Sequence, residues 1–483
     1  MDNHLSRPPP ALTALTFALV LAVLFLALGE NPLLSFNEAR RAVPAREMLE
    51  SGDWLLPRLN GELYLRKPPL LYWLIAGLGS VAGGVGEWVA RLPSALAALA
   101  AIGLCYRHAL RVFGPWPALF TMQILIANAG FAVFARRAEI EMLLASLCTV
   151  ALLLLLRFVR DGGRGFLLGG YFLMGLAFLA KGPLALLFVT APLLVHAWRS
   201  RAPRAWAALA TPSGWILFLA VGLSWYAVVA GRLGWGVWAD VIQSDMIGKI
   251  QGRSGGRDPL YDYPLWLFGD FLPFGLLLLA GPVATVRGWW ARADTAVLLY
   301  AVVIPLAAFS LSGDKHAKYL LPAYPALALL LGQRLGELYG RASPLMRRGI
   351  LMLGVLMPVG YGGYFSFGEG KLYASRIAAL PQIGAVFERY PGIPALAVGE
   401  VDERVIFYAG RTLRPASTAE VRNALATTPD LLVFGEKPEP VMAEVPGLCK
   451  VRELAPFLKK GKKAAILGAG RPCLGRDVSL PKE

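Results

Sequence analysis

Charge is scarce in this chain of 483 residues, with Asp, Glu, Lys and Arg supplying only 17% of it. Soluble domains carry about 25% charged and about 45–50% apolar residues. Here the apolar share is 56%. A single soluble core stops growing near ~250–300 residues and cannot absorb that excess. A soluble enzyme and a disordered protein are therefore excluded. Cysteine is scarce too, with four in the whole chain, which excludes a disulfide-rich secreted domain. The sequence has no metal-ligand spacing, P-loop, dinucleotide fingerprint or G-x-S-x-G motif. It also shows no internal repeat and no low-complexity tract.

What it has is long apolar blocks. They lie at 11–29, 68–84, 92–106, 116–134, 141–156, 166–180, 182–198, 213–230, 264–284, 294–311, 319–333 and 349–366. Most are near the length of a membrane-crossing helix. The first is too long for a signal-peptide core, and Gly29-Glu30-Asn31-Pro32 is not a cleavage site. Arg7 on its flank places the N-terminus in the cytoplasm. Orientation then turns on 68–84. If this block does not cross, the Arg-dense loops 107–111, 157–164, 199–204, 287–292 and 334–348 are all cytoplasmic. If it crosses, all of them lie outside, against the positive-inside rule. The expectation is a helix in the outer interface, eleven crossings and an outside C-terminus. The net charge of +16 is then mostly cytoplasmic arginine, and nucleic acid is not an expected partner.

The fold class expected is a mainly α, polytopic helical bundle over 1–366, with a first outer loop 30–67 and the interfacial helix 68–84. The remainder, 367–483, changes composition. Short apolar runs at Ala395–Val398, Val405–Tyr408, Leu431–Phe434 and Ala464–Leu467 read as strands, with a helix near 418–426. A small periplasmic α/β domain is expected. Its Cys449 and Cys473 either pair or remain two free thiols, while Cys105 and Cys148 read as packing residues.

The polar outer loops hold the chemistry. Ser35-Phe36-Asn37-Glu38 fits a capping box opening a helix that runs to about Glu50. Glu38 either only caps that helix or serves a site at the bilayer boundary, beside Arg40, Arg41, Arg66 and Lys67. Glu141 follows Arg136 by five residues, with Glu139 nearby, and either sits on a helix dipole or acts chemically. Outer cations include Arg40, Lys67, Arg136, Lys181, Lys249, Arg253, Arg257, Lys315 and Lys318. Positive charge on this side calls for paired acids or an anion, and a lipid phosphate suits Arg forks and Lys point charges. Tyr261 and Tyr263 add aromatic surface for a sugar face or an interface belt. His316 is a lone loop histidine.

The run NEARRAVPAREMLESGDWLLPRLNGELYLRKPPLLYWL, from Asn37 onward, resembles the first outer loop of the aminoarabinose transferase and protein mannosyltransferase superfamily. Arg91-Leu92-Pro93-Ser94-Ala95, Ala135-Arg136 with its following acid, Gly175 to Pro183, and Tyr319 to Pro325 resemble further blocks of it. In order and spacing they cover about 10–335. The resemblance implies a GT-C membrane glycosyltransferase. Such an enzyme moves a sugar from a polyprenyl-phosphate donor to a lipid, glycan or protein acceptor at the outer face of the bacterial inner membrane. Two positions depart from the family. Its Asp-Glu pair is Asn37-Glu38 here, and the acid after the Ala-Arg block is Glu141 instead of Asp. The Glu-Lys-Pro of aminoarabinose transferases is Arg66-Lys67-Pro68, so a divalent metal would lose an acid there, and no cofactor is expected.

The expected roles follow. Arg40, Lys67, Lys181, Lys249 and Arg257 hold the donor phosphate, and Glu38 and Glu141 are the catalytic acids. Asn37, Arg136, Tyr261 and Tyr263 contact acceptor or sugar. Two other classes fit the composition: a lipid-linked-sugar transporter, and a protein that binds such lipids without turnover. A transporter should carry charged or broken-helix sites near mid-bilayer.

Overall fold

The computed structural model describes residues 7–241, 258–313, 315–455 and 464–474. The chain divides into two compact units. One comprises Met1–Leu28, Leu65–Leu74 and Arg91–Phe365; the other comprises Gly29–Tyr64, Ile75–Ala90 and Ser366–Glu483.

The first unit is helical. Among the described residues, five helices are long and apolar enough to cross a membrane: Glu87–Val112, Ile140–Asp161, Arg164–Lys181, Ala293–Ser310 and Pro344–Leu372. Two bent pairs bring the number to seven. Pro115–Ile126 meets Ala129–Ala135 at 67°, and Pro203–Ala210 meets Pro212–Gly222 at 43°. At the first bend Asn128 accepts the Phe131 N–H at 2.8 Å and restarts the helix. At the second, Pro212 follows the break directly. Pro10–Phe25, Leu70–Ala82 and Leu186–Ser200 are shorter apolar helices. Leu70–Ala82 has 13 residues. At 1.5 Å per residue it is about 20 Å long, short of a hydrocarbon core of about 30 Å.

Small residues bring these helices together, as they do where lipid supplies no hydrophobic drive. A Cβ on Gly170 would lie 2.7 Å from Leu155, and one on Gly175 would lie 2.9 Å from Val221. Gly332 and Gly336, one turn apart, close in the same way on Thr121 and Pro117. Helices Ile140–Asp161 and Arg164–Lys181 are joined by Gly162 and Gly163, both at positive φ (78° and 97°). Only glycine adopts that pair of conformations readily.

In the second unit, helix Phe36–Ser51 starts as the capping box predicts at its first bond, with Ser35 Oγ accepting the Glu38 N–H at 3.2 Å. The return bond differs. Glu38 reaches Leu34, whose N–H donates to Oε2 at 3.0 Å. Gly52, left-handed at φ 71°, ends the helix. Strands β1 (Arg58–Leu59) and β2 (Glu62–Leu63) form a hairpin whose turn residues, Asn60 and Gly61, have φ of 60° and 80°. Asn-Gly is the favoured pair for such a turn. Asn60 then bonds Leu413 twice, donating to its carbonyl and accepting its N–H, each at 2.7 Å.

A five-stranded sheet follows, made of β3 (Ala395–Val398), β4 (Arg414–Pro415), β5 (Leu431–Gly435), β6 (Cys449–Leu454) and β7 (Ala464–Ala469). Its order is β4-β3-β5-β7-β6, with β3 parallel to β4 and β5, and β7 antiparallel to β5 and β6. Strand β5 is buried throughout. Leu432 and Phe434 enter the core on one face, and Leu431 and Val433 the core on the other. That alternation is the period of a strand covered on both sides. Cys449 and Cys473 form a disulfide, and Cys105 and Cys148 are buried thiols. One expectation is corrected. Val405–Tyr408 lies in helix Glu403–Ala409, because Asp402 caps its start by accepting the Arg404 N–H and left-handed Gly410 ends it.

Candidate active site

Two glutamates and two lysines meet in the helical unit. The Ile140–Asp161 helix begins just after Glu139 and carries Glu141 in its first turn; both acids are buried. Exposed backbone N–H groups and the helix dipole favour carboxylates there. Lys181 ends the helix Arg164–Lys181, where a cation is favoured. Its Nζ donates to Glu141 Oε1 at 2.9 Å and lies 4.4 Å from the Tyr319 ring centroid. Lys318, in the 3-10 helix Ala317–Ala323, donates to Glu139 Oε2 at 2.6 Å and sits 3.4 Å from Glu141 Oε1. Lys318 thus bridges both acids, and Glu141 Oε1 meets both lysines. The side chains are between 8% and 19% exposed, so water screens the group weakly.

The loop before this 3-10 helix is held by the buried Lys315. Its Nζ donates to the carbonyls of Asp258 and Ser312 at 2.8 and 2.7 Å, and its N–H donates to Asp258 Oδ2 at 2.9 Å. The His316 N–H donates to Tyr263 Oη at 3.2 Å, and the His316 ring meets Tyr319 edge-on. Tyr263 is fully buried against Trp266 and Phe309, so it offers no aromatic surface here; Tyr261 is 62% exposed. Arg136 is also buried, donating to the Val23 carbonyl at 2.7 Å and lying over the Phe365 ring. Tyr263 and Arg136 thus each have a hydrogen-bond partner within the unit. Lys67 is half-buried in the Leu65–Leu74 segment of the same unit.

Glu38, Asn37 and Arg40 belong to the second unit. Glu38 has no exposed surface, and Asn37 is half-buried. Arg40 pairs with Glu403 through Nε at 2.8 Å and covers Phe36. Its charge, expected to serve a phosphate, is therefore balanced by a carboxylate. Nearby, Tyr408 donates to Glu87 Oε1 and accepts the Leu33 N–H, each at 2.8 Å. Lys249, Arg253 and Arg257 lie outside the described residues.

The sequence placed Glu139 and Lys318 only near the chemistry, whereas the structure makes them half of the cluster. It missed a second polar group inside the bundle altogether. Tyr324 donates to Asp270 Oδ2 at 2.5 Å, and Gly130 lies so close that a Cβ there would meet the same oxygen. Asp270 falls inside an apolar block, and one acid among apolar residues was the available signal. Among the described residues, no three His, Cys, Asp or Glu side chains gather as a metal-ligand set.

Residues 66–228 match the family of dolichyl-phosphate-mannose-protein mannosyltransferases. The chain is 31% identical over 365 residues to the undecaprenyl phosphate-alpha-4-amino-4-deoxy-L-arabinose arabinosyl transferase 2 of Pseudomonas fluorescens (strain Pf0-1). That match covers 72% of this chain and 64% of the other. It is 29% identical over 335 residues to the corresponding transferase of Pseudomonas aeruginosa PAO1, covering 66% and 59% of the two. The chain thus spans about three fifths of the length of the curated relatives it matches. In fold it is similar to ArnT from Cupriavidus metallidurans bound to undecaprenyl phosphate, with a TM-score of 0.80 at 20% identity over 98% of this chain and 100% of that one. It is also similar to the oligosaccharyltransferase AglB from Archaeoglobus fulgidus, with a TM-score of 0.56 at 12% identity over 88% and 69%. These likenesses agree: the chain belongs to the aminoarabinose transferase and protein mannosyltransferase superfamily of GT-C fold.

Proposed function

We propose that the protein transfers a sugar from a polyprenyl-phosphate donor to a lipid, glycan or protein acceptor at the periplasmic face of the bacterial inner membrane. The observation that carries this reading is the Glu139–Lys318–Glu141–Lys181 cluster. Two ammonium groups sharing one carboxylate oxygen form a site that a phosphate oxygen can enter by exchange. The acceptor oxygen attacks the anomeric carbon from the face opposite the leaving group. The bond from that carbon to the phosphate oxygen breaks, and its electron pair leaves on the polyprenyl phosphate. Lys181 and Lys318 stabilise the charge that grows there. Glu141, committed through Oε1 to both lysines, positions them. The acceptor's proton needs a base; we propose Glu38 on the sequence motif, and Glu38→Gln tests it. A phosphate acceptor would need orientation more than a base.

The relatives' names point to an aminoarabinose donor, and offering pentosyl and hexosyl carriers to one preparation decides the sugar. The orientation proposed is a cytoplasmic N-terminus, eleven crossings and a periplasmic domain over 367–483. The Cys449–Cys473 disulfide supports that placement, since such bonds persist in oxidising compartments.

One observation favours the transporter reading. The 67° bend at Asn128 and the half-buried Asp270, bonded to Tyr324, are a broken helix and an acid within apolar segments. The experiment is to offer labelled polyprenyl-phosphate sugar and acceptor to the purified chain in vesicles. Labelled acceptor supports transfer. Movement of intact donor between leaflets, with no labelled acceptor, supports transport.

A further inference from the structure

The helical unit holds a cavity of about 210 Å³ far from the glutamate–lysine cluster. His108, Arg157, Arg160, His196, Ser200 and Asp294 supply its polar wall. Arg157 lies sixteen residues beyond Glu141 on the same helix, which is about 24 Å along the axis. The two places are therefore opposite ends of one bundle. We propose that this cavity binds a phosphate-class anion, the headgroup phosphate of a membrane lipid being the source the surroundings favour.

Charge is the first reason. Arg111 lies within electrostatic reach of Arg107, Arg157 and Arg160, while Asp161 and Asp294 are the carboxylates beside them. Four arginines thus face two acids. Asp161 is engaged by Arg160, from Nε at 3.0 Å, and lies 3.6 Å from Arg157 Nε. The guanidinium of Arg157 is stacked 4.0 Å over Phe166, which fixes its plane. Arg204 donates to the Arg160 carbonyl at 3.0 Å and brings a further cation to the rim. A held guanidinium fork recognises phosphate oxygens in pairs.

The second reason is a polar atom without a partner. His108 Nε2 is buried in this wall and has no hydrogen-bond partner among the described residues. Buried polar atoms in proteins are nearly always paired. The third reason is depth. Trp198, Trp206 and Trp290 are 72%, 42% and 46% exposed beside this end, and Arg199 lies over Trp290 at 4.5 Å. Exposed tryptophans mark the headgroup level, where basic pockets between helices take anionic lipids.

The test uses the full chain, purified in detergent and then given phosphatidylglycerol, phosphatidylcholine or inorganic phosphate. Native mass spectrometry counts retained lipid, and thermal unfolding reads protection. Wild-type protein is expected to retain phosphatidylglycerol over phosphatidylcholine, and R157Q/R160Q to bind it at least about tenfold more weakly. R348Q, an exposed arginine elsewhere, should bind as wild type. Protection by inorganic phosphate that R157Q/R160Q loses supports the same site with a soluble source. Should the Gln pair fail to fold, R157K/R160K keeps the charge without the fork, and weaker binding is expected of it. Equal retention of both lipids with no protection by phosphate, or unchanged binding in the folded variants, overturns the proposal.

Discussion

Lys181 and Glu141 close a 2.9 Å ion pair between the end of one apolar helix and the start of another. Each group sits where its helix dipole favours it. The helix ends themselves therefore favour the pair, and its disruption should be visible in catalysis. Lys181→Ala is expected to lower kcat/KM for the donor by about 10²-fold, the size of a lost charge-assisted contact in a transition state. Steady-state transfer in vesicles checks it, and an unchanged donor kcat/KM contradicts it.

Lys318 bridges Glu139 and Glu141, so removing it takes one cation from two buried carboxylates, of which Glu141 keeps Lys181. Breaking a buried pair from one side costs about 3–5 kcal/mol. Lys318→Met should lower the thermal midpoint in detergent clearly. Adding Glu139→Gln should restore part of the loss. A double variant no more stable than the single one contradicts the bridge.

Asn60 forms both of its Leu413 bonds from a residue at φ 60°. Asn60→Ala loses both bonds and strains the turn, and about 2–3 kcal/mol of stability should go with it. Asn60→Gly keeps the turn and should cost less. Denaturant titration of the two variants orders them, and equal stability would remove the pinning role.

Burial pushes the Glu47 carboxyl above its ordinary range, offset in part by the Gly61 N–H and by Arg46. A carboxyl raised by folding binds its proton more tightly folded than unfolded. Its contribution is therefore present below the ordinary carboxylate range and is lost as pH rises through the folded value. Glu47→Gln should flatten the pH–stability curve across that interval. A curve identical to wild type contradicts the buried charge.

The disulfide predicts location. In cells, Cys449→Ser should leave Cys473 reactive toward a membrane-impermeant maleimide added from the periplasm, while wild type stays unlabelled. Labelling only after the inner membrane is opened places this domain on the other side.

Much of this architecture was legible because its signals are local. Ser35 and Glu38 announce a helix start, Asn60-Gly61 a hairpin, and apolar blocks with Arg-rich ends announce spans. Val405–Tyr408 misled because a β-branched, aromatic run looks like a strand until its caps, Asp402 and Gly410, are weighed. Of the candidate cluster, Glu141 and Lys181 were legible, since their motifs sit at helix ends. Their partner Lys318 lies 137 residues beyond Lys181, a pairing no local pattern reports. Likewise nothing near Arg40 signals Glu403, since only the folded chain brings them together.

The most direct measurement is transfer of labelled sugar from polyprenyl phosphate to acceptor, by the purified chain in vesicles, alongside Glu141→Gln and Glu38→Gln. The account predicts transfer by wild type and a fall of about 10²-fold or more in each variant. Wild-type rates in both variants, or donor moving between leaflets with no acceptor labelled, would contradict it.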